Sequence, residues 1–517
     1  MRQYETFELT FKGKEAGANE VQADISAVFT INGSKKKVKG FCDGDGIYKV
    51  RFLPSETGVC EWKVVSPLEL EGELEGREEI LPAVEGGHGM VKPQGIHLVH
   101  EDGTRYTSFG TTVYALTHQT KEMIEQTFET LKNSPFNKVR MCVFPKHYDF
   151  NLNEPEHFAF VMEHGKPNVQ KPDYTFWKEF ETCLCRLDQL GIEADLILFH
   201  PYDHWGFAKL SYEEACIYLD YAVRRLAAFP NVWWSLANEY DLMEHFKREW
   251  WDGFAKQVYE QDVFGHMLSN HQCITMWDFN NPYTTHCSIQ MGTTQRAAAF
   301  QKEFGKPVLF DEVGYEGNLP YSWGNLSGFE MVNRIWTGTV MGAYVTHGEV
   351  LYQDQEYNDD AILWWAKGGK LYGESMPRIA FLKGIMEELP GPLTAVTSSW
   401  DRDVIKERMK DPEVAETIPT VVKCIANMLD AQFQEFMDGF QEIAGTFEDQ
   451  IMMQYLGHHC NRWLDVQLPE NGIYTVEVID TWEMTRKVVE DHASGLTKVW
   501  LPGKPGIAVL AKKIGKK

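Results

Sequence analysis

The first part of the chain alternates apolar and polar residues with a period of two. Runs such as FELTFKG, at residues 7–13, are separated by turns rich in Gly and Pro as far as about Ala83. Successive side chains of a β-strand point to opposite faces, so this alternation predicts half-buried strands. Residues 1–85 are therefore predicted to form an antiparallel β-sandwich, and residues 86–89 (GGHG) its exit linker.

From about His97 to about Leu389, short apolar segments alternate with amphipathic helices. In the segments 174–190 and 212–228, for example, apolar residues recur every three or four positions. Eight strands that alternate with helices over about 290 residues are typical of a TIM barrel. Residues 86–390 are thus predicted to be a (β/α)8 barrel of the α/β class. The predicted strands are 107–113, 137–144, 193–199, 232–237, 267–270, 285–289, 308–310 and 342–346.

Residues 391–517 are predicted to form a C-terminal antiparallel β-sandwich with a helical insertion. The segment 427–448 has a helical pattern, and later runs such as WLDVQLP and GIYTVEVID read as strands. Neither predicted sandwich has an obvious row of exposed aromatic residues in its sequence. We therefore expect these two domains to have a structural or oligomer-forming role.

The net charge of the 517 residues excludes some partners. A formal charge of -25 and a pI near 5.1 repel phosphate backbones and anionic membranes. No apolar run is long enough for a membrane span or a signal peptide. The ten cysteines are scattered, which favours reduced thiols. Together these features predict a cytoplasmic location. We expect a small neutral glycoside or oligosaccharide as substrate, with neither nucleic acid nor membrane as partner.

Two acidic pairs follow short apolar strands: Asn238-Glu239 after the fourth and Asp311-Glu312 after the seventh. Active sites of barrels lie at the C-terminal ends of the strands. Hydrolysis of a glycosidic bond needs one protonated carboxyl and one ionised carboxylate, roles that Glu239 and Glu312 can divide. Because adjacent strand residues face opposite ways, we expect only one of Asp311 and Glu312 to reach the pocket.

Other polar and aromatic side chains at the strand ends are predicted to contact the substrate. For Arg140, a pocket role and a structural ion pair are equally compatible with the sequence. The His200-Asp203-His204 group invites a metal, but no HExxH motif accompanies it, so we predict no metal and no cofactor. The predicted binding residues are Tyr114, His118, Arg140, His200, His204, Trp205, Asn238, His286, Tyr315 and His347.

The segment NVWWSLANEYD, at residues 231–241, resembles the fourth strand of clan A retaining glycosidases, and GKPVLFDEVGYEG, at 305–317, resembles their nucleophile motif. The barrel is most similar to the apiosidase-like glycosidases. The resemblance implies that Glu239 is the acid/base, Glu312 the nucleophile and Asn238 a partner of the sugar 2-hydroxyl. It extends to FELTFKG, similar to a preceding β-sandwich, and to LPGKPGIAVL, similar to a following one. The chain departs from the pattern at Tyr240, where Pro is common.

The sequence leaves two other functions open. The histidines could serve a metal-dependent hydrolase, or the barrel could be a noncatalytic carbohydrate-binding protein. Both glutamates favour a retaining, exo-acting glycoside hydrolase over these alternatives. Whether the chain forms homo-oligomers is also left open.

Overall fold

The computed structural model describes residues 1–15, 17–353, 361–396, 402–440 and 442–517. Its centre is a nearly closed barrel of eight parallel strands, which confirms the predicted fold class. Strands that follow one another in the chain are paired, except that the fifth and sixth are linked only by a single bridge between His271 and Ser288. The first strand pairs with the eighth. The barrel strands are Phe109–Thr112, Lys138–Cys142, Glu193–Phe199, Val232–Ala237, Leu268–Ser269, Cys287–Gln290, Val308–Glu312 and Tyr344–His347.

Helices surround the barrel and follow six of the first seven strands; residues 270–286, between the fifth and sixth strands, contain no helix. Their starts are encoded locally. Asp173 caps one helix, and Ser211 with Glu214 forms a capping box on the next, which satisfies free N–H groups of the first turn. The α-helices in this part are Lys121–Lys132, Tyr174–Gln189, Tyr212–Leu226, Arg248–Gln261, Ala297–Phe304, Gly328–Val340, Trp364–Lys367 and Ser375–Glu388.

A hairpin closes the N-terminal end of the barrel. Its strands, Val91–Gln94 and His97–His100, pack Leu98 into one cluster with Trp233 and Tyr344 of the barrel strands. The Leu98 N–H donates a hydrogen bond of 3.0 Å to the Tyr344 hydroxyl. The opposite, C-terminal end of the barrel is therefore the end at which a site can open.

The N-terminal domain consists of two four-stranded antiparallel sheets, as predicted. It joins the barrel helices through buried ion pairs. Arg51 binds Glu181, and Asp43 binds Arg225, which also binds Glu181. The strands are Phe7–Gly13, Ser26–Ile31, Ser34–Lys39, Phe41–Cys42, Ile47–Phe52, Gly58–Val65, Leu70–Glu71 and Glu75–Ile80.

The C-terminal domain has one six-stranded antiparallel sheet and one two-stranded sheet. The helix predicted over 427–448 is wrong in its last part, because the helix Asp430–Phe440 is followed by the strand Ile443–Phe447, which pairs with Ile451–Tyr455. Strand pairing on both sides of Ile443–Phe447 outweighs the local helical pattern. The remaining elements are the helices Arg402–Arg408, Pro412–Thr417 and Thr420–Ala426 and the strands Thr394–Ala395, Trp463–Gln467, Gly472–Asp480, Thr485–Ala493, Leu496–Trp500 and Ile507–Lys516.

Two expectations about the whole chain concern its thiols and its relation to membranes. All ten cysteines are free thiols, and five of them are buried: Cys42, Cys60, Cys142, Cys183 and Cys287. Within the described ranges, no helix combines the length and apolarity that crossing a bilayer requires.

Candidate active site

The backbone bends sharply at Glu239, directly after the fourth strand. Glu239 has φ 58° and ψ 56°, in the left-handed region that non-glycine residues seldom adopt. The neighbouring amides hold it there: Asn238 N–H bonds Phe199 O at 2.9 Å, and Tyr240 N–H bonds His271 O at 2.9 Å. The bend places the Glu239 side chain at the C-terminal mouth of the barrel.

A β-bulge decides how Asp311 and Glu312 are directed. Ile289 pairs with Phe310, but the next residue, Gln290, pairs with Glu312, so Asp311 is an extra residue in the seventh strand. Both carboxylates consequently face the inside of the barrel, and simple alternation does not hold. Only Glu312 reaches the mouth, because Asp311 is bound to Lys138 deeper in the interior.

Tyrosine hydroxyls hold both glutamates. The Tyr114 hydroxyl lies 2.9 Å from Asn238 Oδ1 and within hydrogen-bond distance of Glu312 Oε1. Tyr202 donates to Glu239 Oε2, and Gln290 Nε2 donates to Glu239 Oε1 at 3.3 Å. The two carboxyls are therefore fixed by separate sets of donors in one pocket.

Burial and neighbouring charges shift the pKa of Glu312. Burial, and then the charge of Glu239, raise the pKa of Glu312 to about 7, against the opposing effects of Tyr114, Lys146 and Arg140. Burial raises the pKa of Tyr114 far above its usual value, and the charge of Glu312 adds to this. Near neutral pH Glu312 can thus gain or lose a proton, while Tyr114 stays protonated and can donate a hydrogen bond to it.

Lys146 places a positive charge beside this pair. Its side chain is buried, and its Nζ lies 3.6 Å from the ring centre of Tyr114, 4.1 Å from that of Tyr202 and 4.8 Å from that of Tyr148. Burial lowers the pKa of Lys146, whereas Cys142, Glu239 and Glu312 act in the opposite direction. Cation–π contact with three rings offsets part of the cost of burying the ammonium group.

A buried ion cluster fills the barrel beneath the pocket. Arg140 Nη1 bonds Asp195 Oδ2 at 2.8 Å and lies 3.4 Å from Asp311, while Lys138 binds the same two carboxylates. Despite burial, the charges of Lys138 and Arg140 hold the pKa of Asp311 well below its usual value. Arg140 therefore lies in an ion pair, one layer below the mouth. His286 lies in this layer too, near Trp233 and away from the pocket.

Five other predicted binding residues lie apart from the glutamates. His118 is buried and stacks on Phe176, and His200 Nε2 bonds Phe144 O at 3.2 Å. His347 stacks on Phe136 and bonds Thr111, on the helix side of the barrel wall. Burial lowers the pKa of all three imidazoles, so each packs as a neutral ring. His204 and Trp205 both bind the loop residue Glu154, which holds them at the outer rim.

Aromatic residues form one wall of the pocket. Trp365 lies 6.2 Å from Tyr114 and 5.4 Å from Tyr315, and it also contacts Phe150 and Trp323 (ring centres throughout). Trp323 belongs to the rim loop, residues 316–328, a long loop rich in Gly and aromatic residues. The neighbouring Trp364 is buried and donates a hydrogen bond to Thr111 Oγ1.

The two tryptophans of the fourth strand, Trp233 and Trp234, lie away from Glu239. Trp233 donates to Glu193 at the start of the third strand, and Trp234 donates to Asp262. Both indoles therefore lie at the lower end of the barrel or on its outer face. Burial raises the pKa of Glu193 to about 8.

Among the residues that the structure describes, one group has the spacing of a metal site: Glu316, His347 and Glu349. The carboxylates of this group already accept backbone hydrogen bonds. Glu349 accepts from Tyr372 and Gly373, and Glu316 accepts from the residues that begin the next helix. These bonds anchor the rim loop to the segment 372–375. The His200–His204 pair that invited a metal does not converge.

Of the predicted residues, the structure brings together Tyr114, Asn238, Glu239, Glu312 and Tyr315, whose hydroxyl is 3.5 Å from that of Tyr114. It adds Lys146, Tyr202 and Gln290. Lys146 and Tyr202 follow the second and third strands, so the rule of reading strand ends could have included them. Gln290 ends the sixth strand, whereas the sequence pattern predicted that this strand ends one residue earlier, at 289.

Family models match three segments of the chain. The central match, to the family described as "Apiosidase-like, catalytic domain", covers residues 92–390. Two domains of unknown function match the flanks, DUF5060 at residues 1–67 and DUF5605 at residues 440–512. No curated protein matches the sequence.

Solved structures give the same assignment. A candidate glycoside hydrolase from Bacteroides vulgatus is 33% identical, with 99% of both chains covered and a TM-score of 0.84. A family 5 glycoside hydrolase from the same organism is 14% identical, covers 83% of this chain and 93% of its own, and has a TM-score of 0.59. This second likeness supports the fold alone.

Proposed function

The chain belongs to the apiosidase-like glycoside hydrolases, and we propose that it is a retaining, exo-acting member that uses Glu239 and Glu312 in a double displacement. Glu312 attacks the anomeric carbon while Glu239 protonates the departing glycosidic oxygen. Glu239 then removes a proton from the water that releases the sugar. The observation that carries this proposal is that the two buried carboxyls lie in one pocket, with the positive charge of Lys146 beside both of them.

The hydrogen bonds support this division of roles. Tyr114 and the nearby Lys146 stabilise negative charge on Glu312, as an ionised nucleophile requires. Because Tyr114 has one proton, Asn238 Oδ1 competes for it with Glu312, and the carboxylate is the stronger acceptor. The Asn238 amide nitrogen makes no hydrogen bond to any described residue, and it can donate to the sugar 2-hydroxyl.

The aromatic wall supports action at a chain end. Trp365, Phe150 and Trp323 contact each other beside Tyr315, so this side of the pocket is blocked by packed rings. A long polymer that runs through the site would have to cross this wall. A small glycoside or the terminal unit of an oligosaccharide fits better.

A panel of chromophoric glycosides tests the proposal on the native enzyme and on two variants. We expect release from at least one glycoside, and kcat lower by about 10³-fold or more in Glu239→Gln and in Glu312→Gln, since each loses acid/base or covalent catalysis. A better leaving group should partly restore Glu239→Gln but not Glu312→Gln.

The matched control is Glu244→Gln, at an exposed glutamate shortly after the same strand. It should keep native turnover. Near-native turnover of either Glu239→Gln or Glu312→Gln would refute the assigned roles.

A further inference from the structure

The two-stranded sheet of the C-terminal domain has one face buried and one exposed. Val466 and Val499 point into the domain core, whereas Trp463 and Trp500 stand opposite each other on the other face. These two indoles are 48% and 64% exposed, with ring centres 6.0 Å apart and planes inclined by 62°. Two adjacent exposed indoles do not serve a core, and such patches mark recognition sites.

Polar side chains continue the same face. Asp465 stands opposite Lys498, and Gln467 stands opposite Leu496. The Lys498 ammonium lies 5.4 Å from the ring centre of Trp463. Within the described part of the chain, Asp465 has neither a hydrogen bond nor an ion pair through its side chain. The indole face consists of Trp463, Asp465, Gln467, Leu496, Lys498 and Trp500.

The chemistry of the indole face fits a neutral saccharide. A sugar ring presents C–H groups that pack on an indole, and it carries hydroxyls around its edge. A carboxylate, an amide and an ammonium group beside the indoles supply both acceptors and donors for those hydroxyls. One acidic and one basic residue leave the indole face with no net charge, so a neutral ligand is favoured over an ionic one.

A second copy of this chain fits less well. Each copy carries a net charge of -25, and the indole face has no excess of positive charge to offset the repulsion. The sheet is also small, with five residues in each strand. A stable interface between copies would need a larger area than this sheet provides.

We propose that the indole face is an accessory binding site for neutral polysaccharide or oligosaccharide chains. It lies outside the barrel pocket and holds the enzyme on glycan that the pocket does not cut. The site does not depend on the roles of Glu239 and Glu312.

Native affinity electrophoresis tests the proposal. The probes are gels that contain hydroxyethyl cellulose, galactomannan, arabinoxylan or arabinan. The full chain carries Glu312→Gln so that it turns over little of the probe, and it is compared with the same chain carrying Trp463→Ala and Trp500→Ala. We expect retardation of the parent in at least one gel. The affinity of the double indole variant should be lower by about tenfold or more.

The control is Tyr259→Ala, which removes an aromatic residue of similar exposure on the helix Arg248–Gln261. It should leave retardation unchanged, and in the native background the indole variants should keep full turnover of small glycosides. Three results would overturn the proposal: no retardation in any gel, equal retardation of parent and double variant, or a lower molar mass of the double variant by light scattering. The last result would identify a contact between copies.

Discussion

Glu239 pays a conformational cost for its position. A left-handed backbone costs a non-glycine residue on the order of 1 kcal/mol, and such strain persists where the surroundings enforce it. Here the neighbouring amides remain bonded to the third and fifth strands, so the bend falls on the one residue between them. The strain thus lies at the proposed acid/base.

Lys146 should set the pH range in which the enzyme works. Its positive charge stabilises ionised Glu312, so Lys146→Met should raise the pKa of Glu312 further. We therefore expect the acidic limb of the kcat/KM profile, which reports the ionisation of Glu312, to move up by about one pH unit. The measurement is kcat/KM against pH on one glycoside.

Lys146→Arg keeps the charge and is the control. Its profile should stay near that of the native enzyme even if its turnover falls. An unmoved profile in Lys146→Met would mean that the Lys146 charge does not act on the pair.

The positions of single residues were predictable where these residues directly follow a clear strand pattern. Glu239 and Glu312 follow clear apolar strands, so their place at the barrel mouth could be read from the sequence. The direction of a side chain could not. Arg140, His286 and His347 belong to the correct strands or their ends but face the interior layer or the outer wall.

At the scale of elements, the seventh strand is changed by its bulge. The extra residue at Asp311 turns two consecutive carboxylates inward, one into the ion cluster and one into the pocket. Period-two reasoning cannot locate a bulge, because the bulge depends on pairing with the sixth strand. The helix expected at 443–448 failed for the same reason, since strand pairing decided it.

The end of the eighth strand sets the position of Tyr315. A Cβ on Gly348 would lie 2.0 Å from Tyr315 Cδ1 and 2.4 Å from Cε1. Gly348→Ala should therefore displace the Tyr315 ring from Tyr114 and lower kcat/KM by about 10- to 100-fold. Steady-state kinetics on the same glycoside measure this effect.

Gly384→Ala is the matched control, because a Cβ at that helix position meets no atom within 4 Å. It should leave kinetics unchanged and raise stability by up to about 1 kcal/mol. If Gly348→Ala were as active as this control, Tyr315 would not need its present position.

At the scale of the whole molecule, buried ion pairs join the N-terminal domain to the barrel. Glu181 is shared by Arg51 of the first domain and Arg225 of the barrel helices, and all three are buried. Glu181→Gln leaves two buried guanidinium groups short of a counter-charge. We expect it to lower the free energy of unfolding by about 3 to 5 kcal/mol, measured by denaturant titration.

Glu388→Gln serves as the comparison, because Glu388 pairs with Arg486 and Lys512 in a half-exposed setting. Its cost should stay below about 1 kcal/mol. Equal effects of the two substitutions would mean that the buried network does not hold the domains together.

The succession of sandwich, barrel and sandwich was predictable, since the apolar period changes from two to a strand–helix alternation and back. Surfaces built from distant segments were not. Trp463 and Trp500 are far apart in sequence and become neighbours only through strand pairing. The sequence therefore gave no sign of an aromatic face in the last domain.

The most direct test of the central claim is the configuration of the first product. Proton NMR can follow hydrolysis of an active glycoside and observe the anomeric signal before mutarotation. Double displacement by Glu312 and Glu239 predicts that the sugar is released with the same anomeric configuration as the substrate. A first product of the opposite configuration would contradict it, and the two carboxylates would then have to act by a single displacement.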